Sequence, residues 1–445
     1  MECNRLNLAN LTSTYRIFGL LVGRGADKMS KPFTNMRALI VAMAKIMNLI
    51  NSSMQHHHEQ VAYVTYQIGR EMGLCDDNLF KAVYAALLHD IGGVIFPEQP
   101  SIERLEEHKK EIADMGSKLI RDLDGFAEIA DIIAVCQNSY EEDCEDFKNC
   151  PGGQTCMDIA QAIHIADFVA NMMNPGERIL NQVRRINEAV KAGSGKEFSP
   201  KAVEACLQVS TREYKWLDAA LNPSFLLIFT GTIRDMSLED TVRFTQLVSR
   251  IIDFRSSFTA MHSAGVAASA RELARWAGMT QEECLMMEIA GNLHDVGKLV
   301  VSNEILEKPG RLTEEEFNIV KEHPYYTRLI LKDVEGFEQI ANWAGYHHEK
   351  LDGSGYPFHW NADQLDLGAR IMAVADIFSA LTEVRPYRTG MNRDQALDVL
   401  KENAERGAIC GRVVNILEAH YEVIDQVREA ESRAAGRRYF QSISK

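Results

Sequence analysis

The sequence predicts an all-α protein that contains two tandem helical domains. Apolar residues recur at three- and four-residue intervals, for example at Val266, Ala270, Leu273 and Ala277, which is the spacing of a helix with one buried face. Sustained period-two runs and hairpin dipeptides between apolar stretches are nearly absent, so strands are not expected. The third observation is a long internal repeat, which indicates two copies of one domain.

The repeat pairs residues 53–185 with residues 241–410. HEQVAYVTYQIGREMGL and AALLHDIGGV in the first copy correspond to SAGVAASARELARWAGM and AGNLHDVGKL in the second. His57 and His262 each precede the histidine of a His-Asp pair by 32 residues. Asp167 and Asp376 then correspond in AIHIADFVANMM and RIMAVADIFSAL. The remaining chain is expected to form an N-terminal helical extension at 1–52, linker helices at 186–240 and a C-terminal helix at 411–445.

The composition is that of an ordinary globular protein, with 46% hydrophobic and 25% charged residues in 445. The net charge of −15 disfavours a polymeric nucleic acid, whose binding depends on clustered lysine and arginine. The longest strongly apolar run, SFLLIFTGTI, is too short to span a membrane. The N-terminus lacks a secretory signal pattern, and nine cysteines without a disulfide-scaffold density indicate a reducing compartment. We therefore expect a cytoplasmic protein.

The second copy contains a candidate hydrolytic metal centre. His294 and Asp295 are adjacent at the end of an apolar helical stretch, and the carboxylate of such a pair can bridge two ions. Asp376 lies in an apolar helical pattern, where a buried carboxylate needs a partner such as a metal. Other histidines occur at spacings that a helical domain could bring together, namely His262, His323, His347 and His348. Imidazole and carboxylate ligands suit Fe, Mn, Zn or Ni, and the absence of cysteine from the set argues against a structural zinc site.

These motifs identify residues 250–405 as similar to an HD-GYP domain, the cyclic-dinucleotide phosphodiesterase branch of the HD superfamily. The resemblance rests on His262, HDVGK, His323, HHEKLDGSGYP and Asp376, in that order. It implies one ion held by His262, His294, Asp295 and Asp376. It implies a second ion held by Asp295, His323, His347 and His348, with Asp295 and a hydroxide bridging the two. Asp295 and Lys298 would act in catalysis, and Arg385 and Arg388 would bind substrate phosphate, against the alternative of two surface arginines.

The resemblance also sets the expected cofactor. Some family members carry a glutamate four residues before the first histidine that supports a third metal, and Phe258 stands at that position. We therefore expect two divalent ions, Fe or Mn in the first place, with Ni, Zn or Mg as alternatives. Another carboxylate reaching in from elsewhere would change that number.

The first copy resembles a degenerate HD domain. It retains His57, His89, Asp90 and Asp167 as a vestigial site for one ion or none, although His56 and His58 leave the register of His57 open by one residue. Gly93 stands where the second copy has Lys298. The first copy also lacks a counterpart of residues 353–357, which are called the GYP loop below. The counterpart of His323 is expected at Ala113 or Asp114. The counterparts of His347 and His348 are expected at Ser139 and Tyr140. We expect this copy to be a regulatory or structural partner.

Four cysteines stand where the first copy lacks its loop. Their spacing lacks the close pairs typical of zinc sites. We expect reduced thiols without a function, with a metal-binding or redox role as the alternative. The four are Cys136, Cys144, Cys150 and Cys156.

The function that the resemblance implies is metal-dependent hydrolysis of a cyclic dinucleotide. Cyclic di-GMP is expected first and 3',3'-cyclic GMP-AMP second, with the linear dinucleotide or mononucleotides as products. A catalytically weak receptor or signalling scaffold, or an HD hydrolase of another nucleotide, is the alternative, since the fold alone does not settle a substrate. The C-terminal helix is a candidate for homodimer contacts, and the loop at 353–357 for contact with a protein partner.

Overall fold

The computed structural model describes residues 33–50, 56–95, 108–141, 151–223, 235–254, 261–308, 310–383 and 389–443. Within these ranges the chain is almost entirely helical, which confirms the all-α prediction. The described strands, β1 (Thr34–Asn35) and β2 (Asp235–Met236), form one short antiparallel pair. Among the described residues, no helix is long and apolar enough to cross a membrane.

The helices described before residue 235 belong to the segment that precedes the first repeat, to the repeat itself and to the segment after it. They are α1 (Met36–Ile50), α2 (His57–Glu71), α3 (Asp76–Leu88), α4 (Lys109–Ile120), α5 (Ala127–Val135), α6 (Gly153–Met172), α7 (Ile179–Ala192), α8 (Pro200–Ser210) and α9 (Glu213–Leu221), with a 3-10 helix at Ile91–Ile95. The segment expected to be a linker does not stand apart, because α8 packs against α2 and α6. Ser199 accepts a hydrogen bond from the backbone N–H of Ala202 and begins α8, with Pro200 in its first turn.

The second repeat begins with α10 (Leu238–Phe254), α11 (His262–Trp276) and α12 (Gln281–Leu293), followed by a 3-10 helix at Val296–Val300. The chain continues through α13 (Asn303–Leu306), α14 (Glu314–Val320), α15 (His323–Leu331), α16 (Glu338–Gly345), α17 (Leu367–Thr382) and α18 (Arg393–Glu405). It ends in α19 (Gly411–Ala419) and α20 (Tyr421–Ile443). The expected C-terminal helix is thus two helices. It is also less solvated than expected, because α20 packs along α11 and buries Arg428 and Ser432.

Local signals explain where the helices begin and end. Thr280 and Glu283 form a capping box at the start of α12, which satisfies two exposed N–H groups. Gly73 and Gly278 follow α2 and α11 with φ of 80° and 89°, a left-handed conformation that glycine adopts at little cost. The same stop signal therefore ends the same helix in both copies.

The helix before each copy packs across to the other copy. Helix α1 contacts α3 of its own copy, and also the 3-10 helix Val296–Val300 and α15 of the second copy. Helix α10 packs mainly on α12, and also contacts the 3-10 helix Ile91–Ile95 of the first copy. Because the two strands that precede these helices pair antiparallel, the arrangement is typical of two units related by a two-fold axis. The N-terminal helix is therefore part of a shared core.

Candidate metal centre

Helix ends bring the predicted ligands of the second domain to one place. His262 is the first residue of α11, His294 follows α12, and His323 is the first residue of α15. His347 and His348 follow α16, while Asp376 lies inside α17. Apart from the half-buried His348, these residues are buried, as is Asp295. Every ligand implied by the family resemblance therefore lines the same cavity.

Two oxygens of Asp295 face two different groups of ligand atoms. Its Oδ2 lies 3.2 Å from Nε2 of His294, and its Oδ1 lies 3.5 Å from Nε2 of His323. Nε2 of His347 lies 3.9 Å from Oδ1. On the far side, Oδ1 of Asp376 lies 3.1 Å from Nε2 of His262. This arrangement gives Asp295 the geometry of a bridging carboxylate.

Three ligand sets have atoms close enough to share an ion. The sets are His262 with His294 and Asp376, His294 with Asp295 and His347, and His323 with His347 and His348. Within each set all candidate ligand atoms lie within 4.8 Å of one another. His294 and His347 each belong to two of these sets, so the three sets are contiguous.

The backbone fixes the tautomers of three histidines. Nδ1 of His294, His323 and His347 lies 2.8, 2.7 and 2.6 Å from a carbonyl oxygen of Gly291, Val320 and Ala344, respectively. Each Nδ1 must therefore carry the proton, which leaves a lone pair on Nε2 facing the site. Nε2 of His294 and Oδ1 of Asp295 have no hydrogen-bond partner among the described residues. These two buried atoms carry lone pairs that suit a metal ion, since burying a polar atom without a partner is costly.

The electrostatic environment favours neutral imidazoles at His323 and His348 beside an ionised Asp295. Burial lowers the pKa of His323 and of His348 to about 3. Burial alone would raise the pKa of Asp295, but the adjacent His294 ring and the ammonium of Lys298 outweigh it and hold the pKa well below its usual range. Neutral imidazole and ionised carboxylate are the forms that bind metal.

Two glycines allow the close packing that places the ligands. A Cβ on Gly297 would lie 1.9 Å from the carbonyl oxygen of His323, so only glycine lets the 3-10 helix approach α15. Thr327 then joins both segments, because its hydroxyl donates to the His294 carbonyl at 2.9 Å and accepts from the Gly297 N–H at 3.0 Å. A Cβ on Gly291 would similarly lie 2.4 Å from Cα of Ala267.

The GYP loop is anchored beneath the site. The carboxylate of Glu349, buried next to the histidine pair, accepts hydrogen bonds from the N–H groups of Phe358 at 2.7 Å and Trp360 at 2.9 Å. The ring of Tyr356 lies 4.9 Å from that of His348. Burial, with Asp376 and Asp295 nearby, raises the pKa of Tyr356. The phenol therefore stays protonated beside the site.

The structure places Lys298 but does not describe three other predicted residues. Nζ of Lys298 lies 2.6 Å from Oδ2 of Asp295, so the ammonium lies at the rim of the cavity. Arg385, Arg388 and Phe258 lie outside the described residues. Their expected roles stay predictions.

Sequence reasoning missed Glu383. Its Oε2 lies 3.4 Å from Nδ1 of His262, and both side chains are buried. Burial alone would lower the pKa of His262, but the carboxylates of Asp376 and Glu383 raise it to about 10. A carboxylate behind a ligand histidine orients the ring. The only sequence signal was a glutamate directly after the apolar stretch of α17.

The first domain assembles the four ligands expected of its vestigial site. Nε2 of His57 lies 3.3 Å from Oδ1 of Asp167, and Nε2 of His89 lies 3.1 Å from Oδ2 of Asp90. His57 begins α2 as His262 begins α11, which fixes the register that the sequence left open. His58 is also buried beside this cluster.

The repeat alignment for the missing second-ion ligands was wrong. A Cβ on Gly92 would lie 2.1 Å from the carbonyl oxygen of Ile112, the same close contact that Gly297 makes with His323. Ile112, and not Ala113 or Asp114, therefore stands in place of His323. The error arose because 20 residues separate the contact pair in the first copy and 26 in the second.

The same correction applies to the histidine pair. Phe126 and Phe337 precede α5 and α16, and the residues ten and eleven positions later are Cys136 and Gln137 in the first copy, against His347 and His348 in the second. Ser139 and Tyr140 are not the counterparts. Nε2 of Gln137 donates to Oδ2 of Asp167 at 3.1 Å, and Nζ of Lys109 donates to the same oxygen at 2.9 Å. Protein donors thus occupy Oδ2 of Asp167, whose counterpart on Asp376 lies 4.0 Å from Nδ1 of His348.

The cysteines do not form one cluster of reduced thiols. Cys136 is a free, buried thiol, and burial together with Asp90 and Asp167 raises its pKa well above the usual value. Cys156 is disulfide-bonded, so the expectation of reduced thiols was wrong for this residue. Cys144 and Cys150 lie outside the described residues.

Comparison with known proteins gives the same domain organisation. Two matches to the HD domain family cover residues 54–183 and 246–409. The 3'3'-cGAMP-specific phosphodiesterase 1 of Vibrio cholerae is 26% identical over 415 residues, which is 89% of this chain and 94% of the relative. Phosphodiesterase 3 of the same organism and specificity is 38% identical over 220 residues, 48% of each chain.

Two further comparisons concern the second domain and the fold. The cyclic di-GMP phosphodiesterase response regulator RpfG of Xanthomonas campestris is 38% identical over 164 residues, 36% of this chain and 43% of the relative. The crystal structure of a cyclic GMP-AMP-specific phosphodiesterase of V. cholerae superposes with a TM-score of 0.62 at 23% identity, over 87% of this chain and 98% of that one. The tandem fold is therefore shared. HD domains bind divalent metals, which agrees with the clusters of histidine and aspartate in both copies. This chain belongs to the HD superfamily as a tandem HD protein of the HD-GYP type, with a degenerate first copy.

Proposed function

We propose that this protein is a metal-dependent phosphodiesterase that opens a cyclic dinucleotide at its second domain. The observation that carries the proposal is Asp295, whose two oxygens face separate groups of buried imidazole nitrogens. A carboxylate between two ligand groups is the arrangement needed to hold two ions close together. The relatives named as phosphodiesterases of cyclic dinucleotides support the substrate class.

The ligand set fits two divalent ions. One would be held by His262, His294, Asp295 and Asp376, and the other by Asp295, His323, His347 and His348. Two such ions supply an activated water and neutralise charge on the phosphate. Imidazole with carboxylate suits Fe or Mn, with Ni, Zn or Mg as alternatives.

The surrounding residues orient the ligands and receive the substrate. Carbonyl oxygens hold three imidazoles with Nε2 toward the site. Lys298, beside Asp295, would attract the phosphate, and Arg385 and Arg388, which follow α17 in the sequence, would bind it. The phenol of Tyr356 stays protonated and is available as a hydrogen-bond donor.

The relatives favour 3',3'-cyclic GMP-AMP over cyclic di-GMP as the substrate, which reverses the order expected from the sequence. A relative named for cyclic GMP-AMP aligns along both domains, over 94% of its length. The relative named for cyclic di-GMP matches over only 36% of this chain. Purified protein assayed with Mn²⁺ against both dinucleotides should cleave cyclic GMP-AMP with the higher kcat/KM. A higher value for cyclic di-GMP would reject this preference.

The substitution Asp295→Ala tests the proposed site. Loss of the bridging carboxylate should reduce turnover by about 10³-fold or more, because it removes several kcal/mol of transition-state stabilisation. Circular dichroism should still show the helical fold. The exposed Asp363 is a matched control, and Asp363→Ala should leave turnover unchanged. Near-parental turnover by Asp295→Ala would refute the assignment.

We propose that the first domain is not a second phosphodiesterase. Ile112, Cys136 and Gln137 replace the histidines of the second ion, so two ions cannot be held there. The pair His89→Ala with Asp90→Ala should leave part of the activity, whereas His294→Ala with Asp295→Ala should abolish it. Complete loss with the first pair, at unchanged stability and oligomeric state, would contradict this division of roles.

Contact with a protein partner through the GYP loop, and formation of a homodimer, stay predictions. Exposed Phe317 and Tyr325 contact Tyr356 and Phe358 of the loop, at ring distances of 6.0 and 6.3 Å. Together they would provide the apolar part of a contact surface. Sedimentation of the purified chain measures whether it self-associates.

A further inference from the structure

The first domain contains one more histidine beside its potential metal ligands, and this histidine has no counterpart in the second domain. His58 follows His57 at the start of α2, and the residue that follows His262 at the start of α11 is Ser263. His58 is 2% exposed, and its ring lies 5.3 Å from that of His57 and 5.6 Å from that of His89. An extra buried imidazole at this position calls for a physical explanation.

His58 completes a ligand triad that the second domain builds from another element. The ligand atoms of His58, His89 and Asp90 lie within 4.8 Å of one another. The equivalent triad in the second domain consists of His347, His294 and Asp295. Cys136 stands at the position of His347 in the first domain. His58 therefore supplies from α2 the imidazole that was lost after α5.

The hydrogen bonds of His58 direct its lone pair into the cluster. Nδ1 of His58 lies 2.7 Å from Oδ1 of Asn48, and the amide nitrogen of Asn48 donates to Glu59 at 2.7 Å. Because the amide nitrogen is committed to Glu59, Oδ1 is the acceptor and Nδ1 of His58 carries the proton. Nε2 then offers a lone pair.

The other two imidazoles, those of His57 and His89, also direct Nε2 into the cluster. Nδ1 of His89 lies 2.8 Å from the carbonyl oxygen of Ala86. The Nε2 atoms of His57, His58 and His89 are buried, and none has a hydrogen-bond partner within the described part of the chain. Three unsatisfied buried nitrogens beside two carboxylates form a costly arrangement. A cation that accepts all of them would relieve that cost.

We propose that the first domain binds one divalent transition-metal ion through five ligands, His57, His58, His89, Asp90 and Asp167, in a closed site. Lys109 and Gln137 donate to Oδ2 of Asp167 and cover the face that is open to substrate in the other domain. All ligands come from the protein, as in structural metal sites. His58 also links this ion to α1, through Asn48, and α1 packs on the 3-10 helix that carries Lys298.

The test counts ions in a full-length chain whose second site has been removed. In a background that carries His294→Ala, Asp295→Ala and His347→Ala, equilibrium dialysis with Mn²⁺ and metal analysis should find one ion per chain. Adding His58→Ala should weaken binding about tenfold or more, and should remove the rise in melting temperature caused by Mn²⁺. His58→Gln, which keeps most of the side-chain volume, should do the same.

The matched control is His56→Asn, which removes the neighbouring exposed imidazole at a residue with φ of 64° that asparagine tolerates. It should bind Mn²⁺ like the background chain. Unchanged Mn²⁺ affinity in both folded His58 variants would exclude His58 as a ligand, and no bound ion in the background chain would exclude the site. Because catalytic activity is not measured, either failure leaves the proposed phosphodiesterase function unaffected.

Discussion

At the scale of the residue, Glu383 is a positioning residue for the metal centre. Its carboxylate lies behind the ligand histidine His262, at 3.4 Å from Nδ1. Carboxylates in this position hold the ring orientation, and their loss costs 10- to 100-fold in metal affinity or activity, as an order of magnitude. The carboxylate faces the ring of His262, so its effect on metal binding should pass through that ligand.

Replacing Glu383 by glutamine separates that role from a general structural one. Glu383→Gln should raise the Mn²⁺ concentration needed for half-maximal activity by about tenfold. It should change kcat little once Mn²⁺ is saturating. Glu405, exposed on α18, provides the control Glu405→Gln. A fall in kcat at saturating Mn²⁺, with unchanged Mn²⁺ dependence, would show that Glu383 does not act through the ligand.

The buried histidines also make a prediction about acid stability. Burial holds the pKa of His323 and of His348 at about 3, below the usual 6.5. As the pH falls below about 6.5, the unfolded chain takes up protons that these folded histidines refuse. The free energy of unfolding should therefore fall toward pH 3, by roughly 1.4 kcal/mol per pH unit and histidine. His262, whose pKa is raised to about 10, is protonated in the folded chain throughout this range, so its opposing contribution fades as the unfolded chain becomes protonated below about pH 6.5.

Urea unfolding with a chelator, at about pH 6.5, 5.5 and 4.5, measures this slope. The double variant His323→Asn with His348→Asn should show a clearly shallower dependence on pH than the parent chain. His359 is exposed and has φ of 55°, so His359→Asn is a tolerable control that should keep the parental slope. Equal slopes in all three proteins would show that burial does not depress these pKa values.

At the scale of the element, one close contact recurs in both domains with different consequences. The 3-10 helix after each His-Asp pair packs on the next long helix through a glycine. A Cβ would meet a carbonyl oxygen at 2.1 Å from Gly92 and at 1.9 Å from Gly297. In the second domain that carbonyl belongs to His323, and in the first it belongs to Ile112. The same packing thus carries a ligand in only one copy.

Alanine substitutions at Gly92 and Gly297 form a matched pair of variants that tests this contact. Gly92→Ala and Gly297→Ala should each lower the free energy of unfolding by about 1–3 kcal/mol, because the two elements must move apart. Only Gly297→Ala should also lower activity strongly, since it displaces His323. Activity assays on both variants, below their melting temperatures, test the comparison. Equal losses of activity would indicate that the contact acts through overall stability.

At the scale of the whole molecule, the two domains share one apolar core. The buried cluster extends from Met36 in α1 through both copies to Ile424 in α20. Polar contacts also cross between the copies, with Asn35 donating to Glu335 at 2.8 Å and Lys45 to Asp333 at 3.0 Å. Because α1 and α10 each pack on both domains, neither domain keeps its core intact when the other unfolds.

The shared core predicts cooperative unfolding. Calorimetry of the full chain should show one main transition, and a chelator should lower its melting temperature as a whole. Replacing the fully buried Ile40 of α1 by alanine should cost about 2–5 kcal/mol and shift the same transition. The exposed Lys191, replaced by alanine, is a control that should shift it little. Two separate transitions, of which the chelator moves only one, would contradict a common core.

The sequence alone determined the all-α class and the tandem repeat, and it predicted a ligand set for the second domain. Helical periodicity follows from which face is buried, and ligand types follow from metal chemistry. Both can therefore be recognised from residues that are close in the sequence. His294, Asp295 and Asp376 could be identified because each falls at the same motif position in both copies.

Only the tertiary structure decided which residues meet across the chain. The counterparts Ile112, Cys136 and Gln137 depend on loop lengths that differ between the copies, and an alignment by motif spacing cannot place such gaps. Glu383 and His58 contact their partners through packing of separate helices, and no local pattern encodes that packing. The path of α1 into the second domain likewise depends on the relation between two whole domains, which the burial of a common apolar core selects.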